Sequence, residues 1–131
     1  MRLLLDTHCW LWYLLEPERL NPGAREILRD PENEIFFSAA SAWEIVIKYD
    51  LGRLTLPVPP SDYIPDRLTE LGHRILPIRL DHVLRVGGLP AHHKDPFDRV
   101  LLAQSQVESL PLMTGDSVFT AYEANILWAR A

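Results

Sequence analysis

The stretch RLLLDTHCWLWYLL, residues 2–15, contains the unit from which the whole fold is built. Arg2 to Leu5 is short and apolar, which predicts a buried strand. A helical stretch from about His8 to Leu15 follows almost at once, so strand and helix share a very short turn. A strand followed directly by a helix is the repeating unit of α/β proteins with parallel sheets.

The same alternation continues along the rest of the chain. We predict helices at about 22–29, 42–50, 62–71, 81–86 and 96–107, and strands at 34–37, 74–78, 112–114 and 125–128. Gly52 and Gly72 suit the ends of two of these helices. The proline-rich segment 55–63 is predicted to be an ordered surface loop. The chain is therefore predicted to be one α/β domain, residues 1–131, with a mainly parallel sheet of four to five strands.

Composition narrows the class of protein. Hydrophobic residues make up 47% and charged residues 24% of the chain, the balance of a globular domain. The apolar runs are too short to cross a bilayer, and the start of the chain lacks the apolar core of a signal peptide. The single cysteine, Cys9, excludes an internal disulfide. We therefore expect a cytoplasmic protein with no membrane association.

Four acids occupy comparable places along this pattern. Asp6 directly follows the first strand, Glu44 lies in the first turn of the helix after the second, and Asp116 follows strand 112–114 after a glycine that permits a sharp turn. Asp98 lies in the first turn of the helix leading into that strand. Because the carboxyl ends of parallel strands form one edge of a sheet, these side chains are expected to converge there.

Each acid also has a purely structural explanation. Ser41 and Glu44 fit a capping box, Asp95 fits a helix N-cap, and Asp98 fits the third helical position. Asp6 could end a strand, and Asp116 could cap a turn.

Together, however, converging acids repel one another. Like charges ~4 Å apart cost on the order of 4 kcal/mol per pair at an effective dielectric of about 20, unless a cation lies between them. Oxygen-only ligation without paired cysteines favours Mg²⁺ or Mn²⁺. Such ions support phosphoryl chemistry. The net charge of −5 argues against nucleic-acid binding, but less so when the acids are gathered around metal.

Four segments, in this order, resemble PIN-domain ribonucleases, and more narrowly the VapC-type toxins of type II toxin–antitoxin systems: LLLDTHCWLW, SAASAWEIVIKYDLGRL, HHKDPFDRVLLAQS and LPLMTGDSVF. The resemblance covers essentially the whole chain. It implies an α/β/α sandwich and an acidic site that binds Mg²⁺ or Mn²⁺. It also implies endonucleolytic RNA hydrolysis by a metal-activated water, leaving a 5′-phosphate and a 3′-hydroxyl.

The resemblance also assigns roles to particular residues. Asp6, Asp98 and Asp116 would be metal ligands, and Glu44 would bind directly or through water. Asp95 would fix the helix start, and with it the direction of Asp98.

Several neighbouring residues are weaker candidates. Three hydroxyl side chains near the acids would hydrogen-bond a metal water or a phosphate, with turn capping an equal alternative: Thr7, Thr114 and Ser117. Two basic residues flank the third acid and are candidates for RNA binding: Lys94 and Arg99. His92 and His93 have no metal-ligand spacing, so we interpret them as surface-loop residues.

Partners follow from the same resemblance, which implies a homodimer and a cognate antitoxin, a small DNA-binding protein that covers the acidic groove. Two alternatives remain. A haloacid-dehalogenase-like phosphatase needs a second acid two positions after the first, where this chain has His8. A catalytically silent PIN-fold binding module would normally have lost one of the four acids.

Overall fold

Five strands form one parallel sheet at the centre of the computed structural model, which describes residues 1–131. The strands are β1 (Arg2–Leu5), β2 (Glu34–Ser38), β3 (Arg74–Leu76), β4 (Leu112–Thr114) and β5 (Ile126–Trp128). Their order across the sheet is β3-β2-β1-β4-β5, and every neighbouring pair is parallel.

Six α-helices connect and cover these strands. They are α1 (Thr7–Leu15), α2 (Pro22–Arg29), α3 (Ala39–Asp50), α4 (Pro60–Leu71), α5 (Leu80–Val86) and α6 (Pro96–Glu108). Two short 3₁₀ segments, Pro17–Arg19 and Ser117–Ala121, complete the chain. None of the helices has the length and apolar character needed to cross a membrane.

The core has two halves, one on each face of the sheet. Leu3 and Leu5 point to one face and pack with Trp10, whereas Leu4 points to the other and packs with Leu101. This alternation follows from the twofold period of a strand. Both faces of the sheet are therefore buried under helices, and the predicted α/β/α sandwich is confirmed.

Three boundaries differ by two or three residues from those predicted, and the others by one residue at most. Helix α3 begins at Ala39 because Ser38 is its N-cap, with Ser38 Oγ accepting from the N–H of Ala40 at 3.0 Å. Helix α4 begins inside the proline-rich segment, at Pro60, since proline suits the first helical position. Strand β3 ends at Leu76 because the next residue, Pro77, has no N–H to continue the ladder.

The direction in which the chain builds the sheet reverses at β1. Strands β2 and β3 are added on one side of β1, and β4 and β5 on the other. Such a switch point leaves a crevice at the carboxyl ends of the two central strands, here β1 and β4. Asp6 and Asp116 follow these two strands, so both acids lie at that crevice.

Candidate active site

Asp6 is held at the end of β1 by a residue from β4. Its Oδ2 atom accepts a hydrogen bond from Thr114 Oγ1 at 2.7 Å. Asp6 occupies the N-cap position of α1, yet its side chain caps nothing. Its other oxygen, Oδ1, is buried and has no hydrogen-bond partner. Asp6 is therefore not explained as a strand end or a helix cap.

The two carboxylate oxygens of Asp116 have different surroundings: one caps a 3₁₀ segment, and the other faces the site. Its Oδ1 atom accepts from the N–H of Val118 at 3.0 Å and caps the 3₁₀ segment, as turn capping requires. Its Oδ2 atom instead lies 3.3 Å from Nε2 of His93. Thr114 Oγ1 accepts from the N–H of Asp116 at 3.0 Å, so one hydroxyl positions both Asp6 and Asp116.

Glu44 lies in the second turn of α3 and takes no part in capping. Because Ser38 is the N-cap, Ser41 is inside the helix, and the capping box predicted from Ser41 and Glu44 is wrong. Ser41 Oγ accepts from Thr7 Oγ1 at 2.8 Å, which ties α1 to α3. Glu44 Oε2 accepts from Lys48 Nζ at 2.7 Å, while its buried Oε1 has no partner.

Asp98 is held in place by the cap of its own helix. Asp95 Oδ1 accepts from the N–H groups of Phe97 and Asp98 at 2.9 and 3.1 Å, which confirms Asp95 as the N-cap of α6. Burial, together with the charges of Asp6, Asp95 and Glu44, raises the pKa of Asp98 to about 8. The raised pKa is thus a consequence of low solvation and of the nearby carboxylates, both of which favour the neutral form of Asp98.

His93 also reaches the site, which the sequence pattern did not predict. Its Nε2 atom lies 2.9 Å from Asp98 Oδ2 and 3.3 Å from Asp116 Oδ2, without the alignment of a hydrogen bond. Its Nδ1 accepts from the N–H of Asp95 at 3.3 Å, so we assign the neutral ring's proton to Nε2. His93 lies on the loop before α6, as predicted, but its ring is turned toward the acids, whereas His92 is exposed.

The loop that carries His93 is fastened by Arg99 and Tyr122. Both terminal nitrogens of Arg99 donate, at 3.0–3.3 Å, to carbonyls at the end of α5 and in the loop after it: Val86, Leu89, Pro90 and His93. Tyr122 Oη donates to the carbonyl of Pro90 and accepts from the N–H of His93. Arg99 is therefore engaged in positioning this loop, which argues against the RNA contact predicted for it.

Gly115, between Thr114 and Asp116, is needed for close packing and not for a sharp turn. Its φ angle is not positive, so the conformation itself does not require glycine. A Cβ atom there would lie 2.8 Å from Trp12 Cζ3 and 3.3 Å from Arg130 Cβ. The indole of Trp12 thus packs directly on the backbone next to the site.

The donor set fits a hard divalent cation. Three buried carboxylate oxygens have no hydrogen-bond partner: Asp6 Oδ1, Glu44 Oε1 and Asp98 Oδ1. A ring nitrogen of His93 and carboxylate oxygens of Asp98 and Asp116 all lie within 4.8 Å of one another, and the two oxygens are the candidate ligands because the nitrogen that faces them carries the ring proton. Buried anionic oxygens without donors are normally paired with charge or bound to metal. Carboxylate oxygen is the ligand that Mg²⁺ and Mn²⁺ prefer.

The remaining candidates lie at the margin of the site. Ser117 is exposed beside Asp116, and Lys94 is exposed next to His93. Cys9 is buried, and burial raises the pKa of its thiol, so it is not a reactive nucleophile.

Several solved structures share this fold, and one of them is a toxin–antitoxin complex from Klebsiella pneumoniae, with TM-score 0.63 and 19% identity over 96% of both chains. A chain of VapBC2 from Rickettsia felis, bound to a promoter DNA fragment, matches with TM-score 0.71 and 14% identity over 98% of both chains. A chain of FitAcB from Neisseria gonorrhoeae matches with TM-score 0.66 and 21% identity, over 98% of this chain and 97% of that one. At these identities the likeness concerns the fold alone.

Two sequence comparisons are more specific. Ribonuclease VapC16 of Mycobacterium tuberculosis is 48% identical over 58 residues, which span 44% of this chain and 40% of that relative. The family model described as PIN domain matches residues 3–125, nearly the whole chain. The chain therefore belongs to the PIN-domain family.

Proposed function

We propose that this protein is a divalent-metal-dependent endoribonuclease and the toxin of a toxin–antitoxin pair. The observation that carries the proposal is the set of three buried acids, each with one unpartnered oxygen, at the carboxyl edge of a PIN-family sheet. A relative that matches part of this chain is a ribonuclease. Family membership also removes the haloacid-dehalogenase alternative.

In this proposal the protein's residues hold and orient the reacting groups. Asp6, Asp98 and Asp116 would bind Mg²⁺ or Mn²⁺, and Glu44 would bind it directly or through water. The ion supplies the charge that activates water and stabilises the leaving oxygen of a phosphodiester. Hydrolysis of RNA would leave a 5′-phosphate and a 3′-hydroxyl.

Four neighbouring residues position the acids. Thr114 donates to one oxygen of Asp6 and leaves the other free to bind an ion. Lys48 does the same for Glu44. Asp95 sets the first turn of α6, and His93 places a ring nitrogen against the two acids nearest to it. Such orientation of ligands by a surrounding layer strengthens a metal site.

RNA cleavage by the purified protein is the direct test. We expect cleavage of total RNA in Mg²⁺ or Mn²⁺, loss of cleavage in EDTA, and loss in the folded variants Asp6→Asn and Asp98→Asn. Asp30→Asn is a matched control, because Asp30 is exposed and precedes β2 at the opposite edge of the sheet. Its amide oxygen can still accept from the N–H of Glu32, as the carboxylate does.

The same assay separates the enzyme from a silent binding module. A module would bind RNA or protein without cleaving it, so no RNA products would form with or without metal. Cleavage by both site variants in EDTA would contradict the metal mechanism. Sequencing of the RNA ends would identify the target, since specificity in RNA recognition comes from shape and loops.

Partners and location complete the proposal. One matched structure is a toxin–antitoxin complex and another is bound to promoter DNA, so we propose a small DNA-binding antitoxin that covers the acidic crevice, in the cytoplasm. We also propose a homodimer, supported by three exposed apolar side chains on α5: Leu80, Val83 and Leu84. Light scattering should give a dimer that Leu84→Lys converts to a monomer, and a monomeric parent protein would contradict this part.

A further inference from the structure

A cavity of about 430 Å³ lies directly beside the acid cluster. Asp6 and Asp116 line it together with Trp128 and Arg130. Its volume falls in the range of about 300–1,000 Å³ typical of small-molecule sites. The cavity thus joins the proposed metal site to an aromatic and a cationic side chain.

The segment that carries these two side chains is held on both sides. The N–H of Ala129 donates to the carbonyl of Thr114 at 2.9 Å, and its carbonyl accepts from the N–H of Asn21 at 2.8 Å. Trp128 ends strand β5, and Arg130 forms an antiparallel bridge with Leu20. The backbone is therefore fixed on either side of Ala129.

Arg130 is oriented but only partly satisfied. Its Nε donates to the carbonyl of Gly115 at 2.9 Å, and its Cζ lies 5.0 Å from the ring centroid of Trp12. Arg130 makes no other side-chain hydrogen bond and no salt bridge, so its two terminal nitrogens have no protein partner. Those of Arg99, by contrast, are fully occupied. A guanidinium held this way has free N–H groups suited to a phosphate.

Trp128 supplies a stacking surface at the same cavity. It lies on the edge strand of the sheet, and 46% of its surface is exposed. Exposed aromatic rings beside a cation are the usual platform for bases of single-stranded nucleic acid. An aromatic ring next to a cation is especially useful in this chain, because its net charge of −5 otherwise repels RNA.

We propose that this cavity binds the nucleotide next to the scissile phosphate, with Arg130 on a backbone phosphate and Trp128 stacked on a base. The inference rests on the proposed ribonuclease function and adds the subsite through which the strand passes. Trp12 and Gly115 are positioning residues here, because they hold the guanidinium of Arg130.

Binding of RNA without cleavage tests the subsite. The probe is a fluorescein-labelled single-stranded RNA of about ten nucleotides and randomised sequence, a length within the usual site sizes. It is titrated by anisotropy in Mg²⁺ against protein carrying Asp98→Asn, which prevents hydrolysis. One further substitution at a time is then introduced into this Asp98→Asn protein: Arg130→Gln, Trp128→Ala or Trp128→Phe. Arg53→Gln is the matched control, since Arg53 is exposed on the loop after α3.

The two contacts predict different signatures. Arg130→Gln should weaken binding roughly tenfold and lower the salt slope by about 0.7, the value for one phosphate contact on a single strand. Trp128→Ala should weaken binding by about fivefold or more with the slope unchanged, and Trp128→Phe should restore most of it. Arg53→Gln should change neither the affinity nor the slope.

The outcomes separate this inference from the proposed function. If the parent protein cleaves RNA but Arg130→Gln and Trp128→Ala bind like Arg53→Gln, the subsite is wrong and the enzyme proposal stands. If the parent protein neither binds nor cleaves RNA, both are wrong. Should a variant not fold, 4-thiouridine crosslinking of the parent protein decides. Crosslinks on the peptide containing Trp128 support the subsite, and crosslinks confined to other faces overturn it.

Discussion

Replacing Asp98 by asparagine should abolish cleavage and at the same time stabilise the metal-free protein. The carboxyl group of Asp98 is buried among other acids, and its pKa is raised to about 8. In the unfolded chain the same group ionises near its ordinary value of 3.8. Between these two pH values the folded state therefore binds a proton that the unfolded state has released.

The sign and the size of the stability change expected for Asp98→Asn follow from the linkage between proton binding and folding. Because the folded state binds more protons, the free energy of unfolding falls as pH rises from about 4 to about 8. A carboxyl group whose pKa is 3.8 in the unfolded chain and about 8 in the folded protein lowers the free energy of unfolding at pH 8 by at most about 5 kcal/mol. Asparagine cannot ionise, so it does not lose stability in this way. Its buried amide would, however, lack a hydrogen-bond partner, which lowers the free energy of unfolding by about 1–3 kcal/mol. The net gain expected for Asp98→Asn at pH 8 is about 2–4 kcal/mol.

Urea unfolding in EDTA at several pH values measures this difference. The gain of Asp98→Asn over the parent protein should be large at pH 8 and absent or reversed near pH 4. Mn²⁺ should then stabilise the parent protein, by about 2.7 kcal/mol at a concentration 100-fold above its dissociation constant, and leave the variant unchanged. Asp30→Asn should follow the parent protein throughout.

Two results would refute the reasoning. A variant less stable than the parent protein at pH 8 in EDTA would show that the Asp98 charge is already balanced without metal. A difference that does not change with pH would show that proton binding at Asp98 is not its source.

The other predictions concern packing, acid stability and the loop. Gly115→Ala should lower the free energy of unfolding by about 1–3 kcal/mol, and combination with Trp12→Leu should recover part of the loss in urea titrations. Burial lowers the pKa of His73 to about 4, so stability should fall as pH drops from about 6.5 to about 4, by at most about 3 kcal/mol. His73→Asn should remove that part of the pH dependence, and an unchanged profile would contradict it. Arg99→Gln should speed amide exchange in residues 86–93 and slow cleavage by about one to two orders of magnitude, without changing the salt slope of RNA binding. A lower slope would restore Arg99 as an RNA contact.

The order of the elements was predictable because it depends on local patterns. The alternation of short apolar runs and helical stretches predicted every strand and every α-helix, with boundary differences of up to three residues, but not the 3₁₀ segment Pro17–Arg19. The N-cap at Asp95 was predictable for the same reason, since a cap bonds to backbone only two or three residues away. Parallel strands then bring Asp6 and Asp116 to one edge without further information.

The capping-box prediction was wrong because two nearby serines, Ser38 and Ser41, could each have been the N-cap of α3. Serine is a favourable N-cap at either position, but only Ser41 is followed three residues later by a glutamate, Glu44, as a capping box requires. The strand, however, ends at Ser38, so the helix starts there and Ser41 is left inside it. Tertiary contact between Ser41 and Thr7 then completes the arrangement.

What the sequence alone determined is the α/β alternation and the acids at the strand ends, because both follow from periodicity and from chain direction. Only the tertiary structure decided that His93 faces the acids, that Arg99 holds a loop, and that Gly115 makes room for Trp12. Each of these depends on which atoms a folded loop or ring brings within a few ångströms. That proximity is a property of packing between distant segments, and no spacing along the chain encodes it.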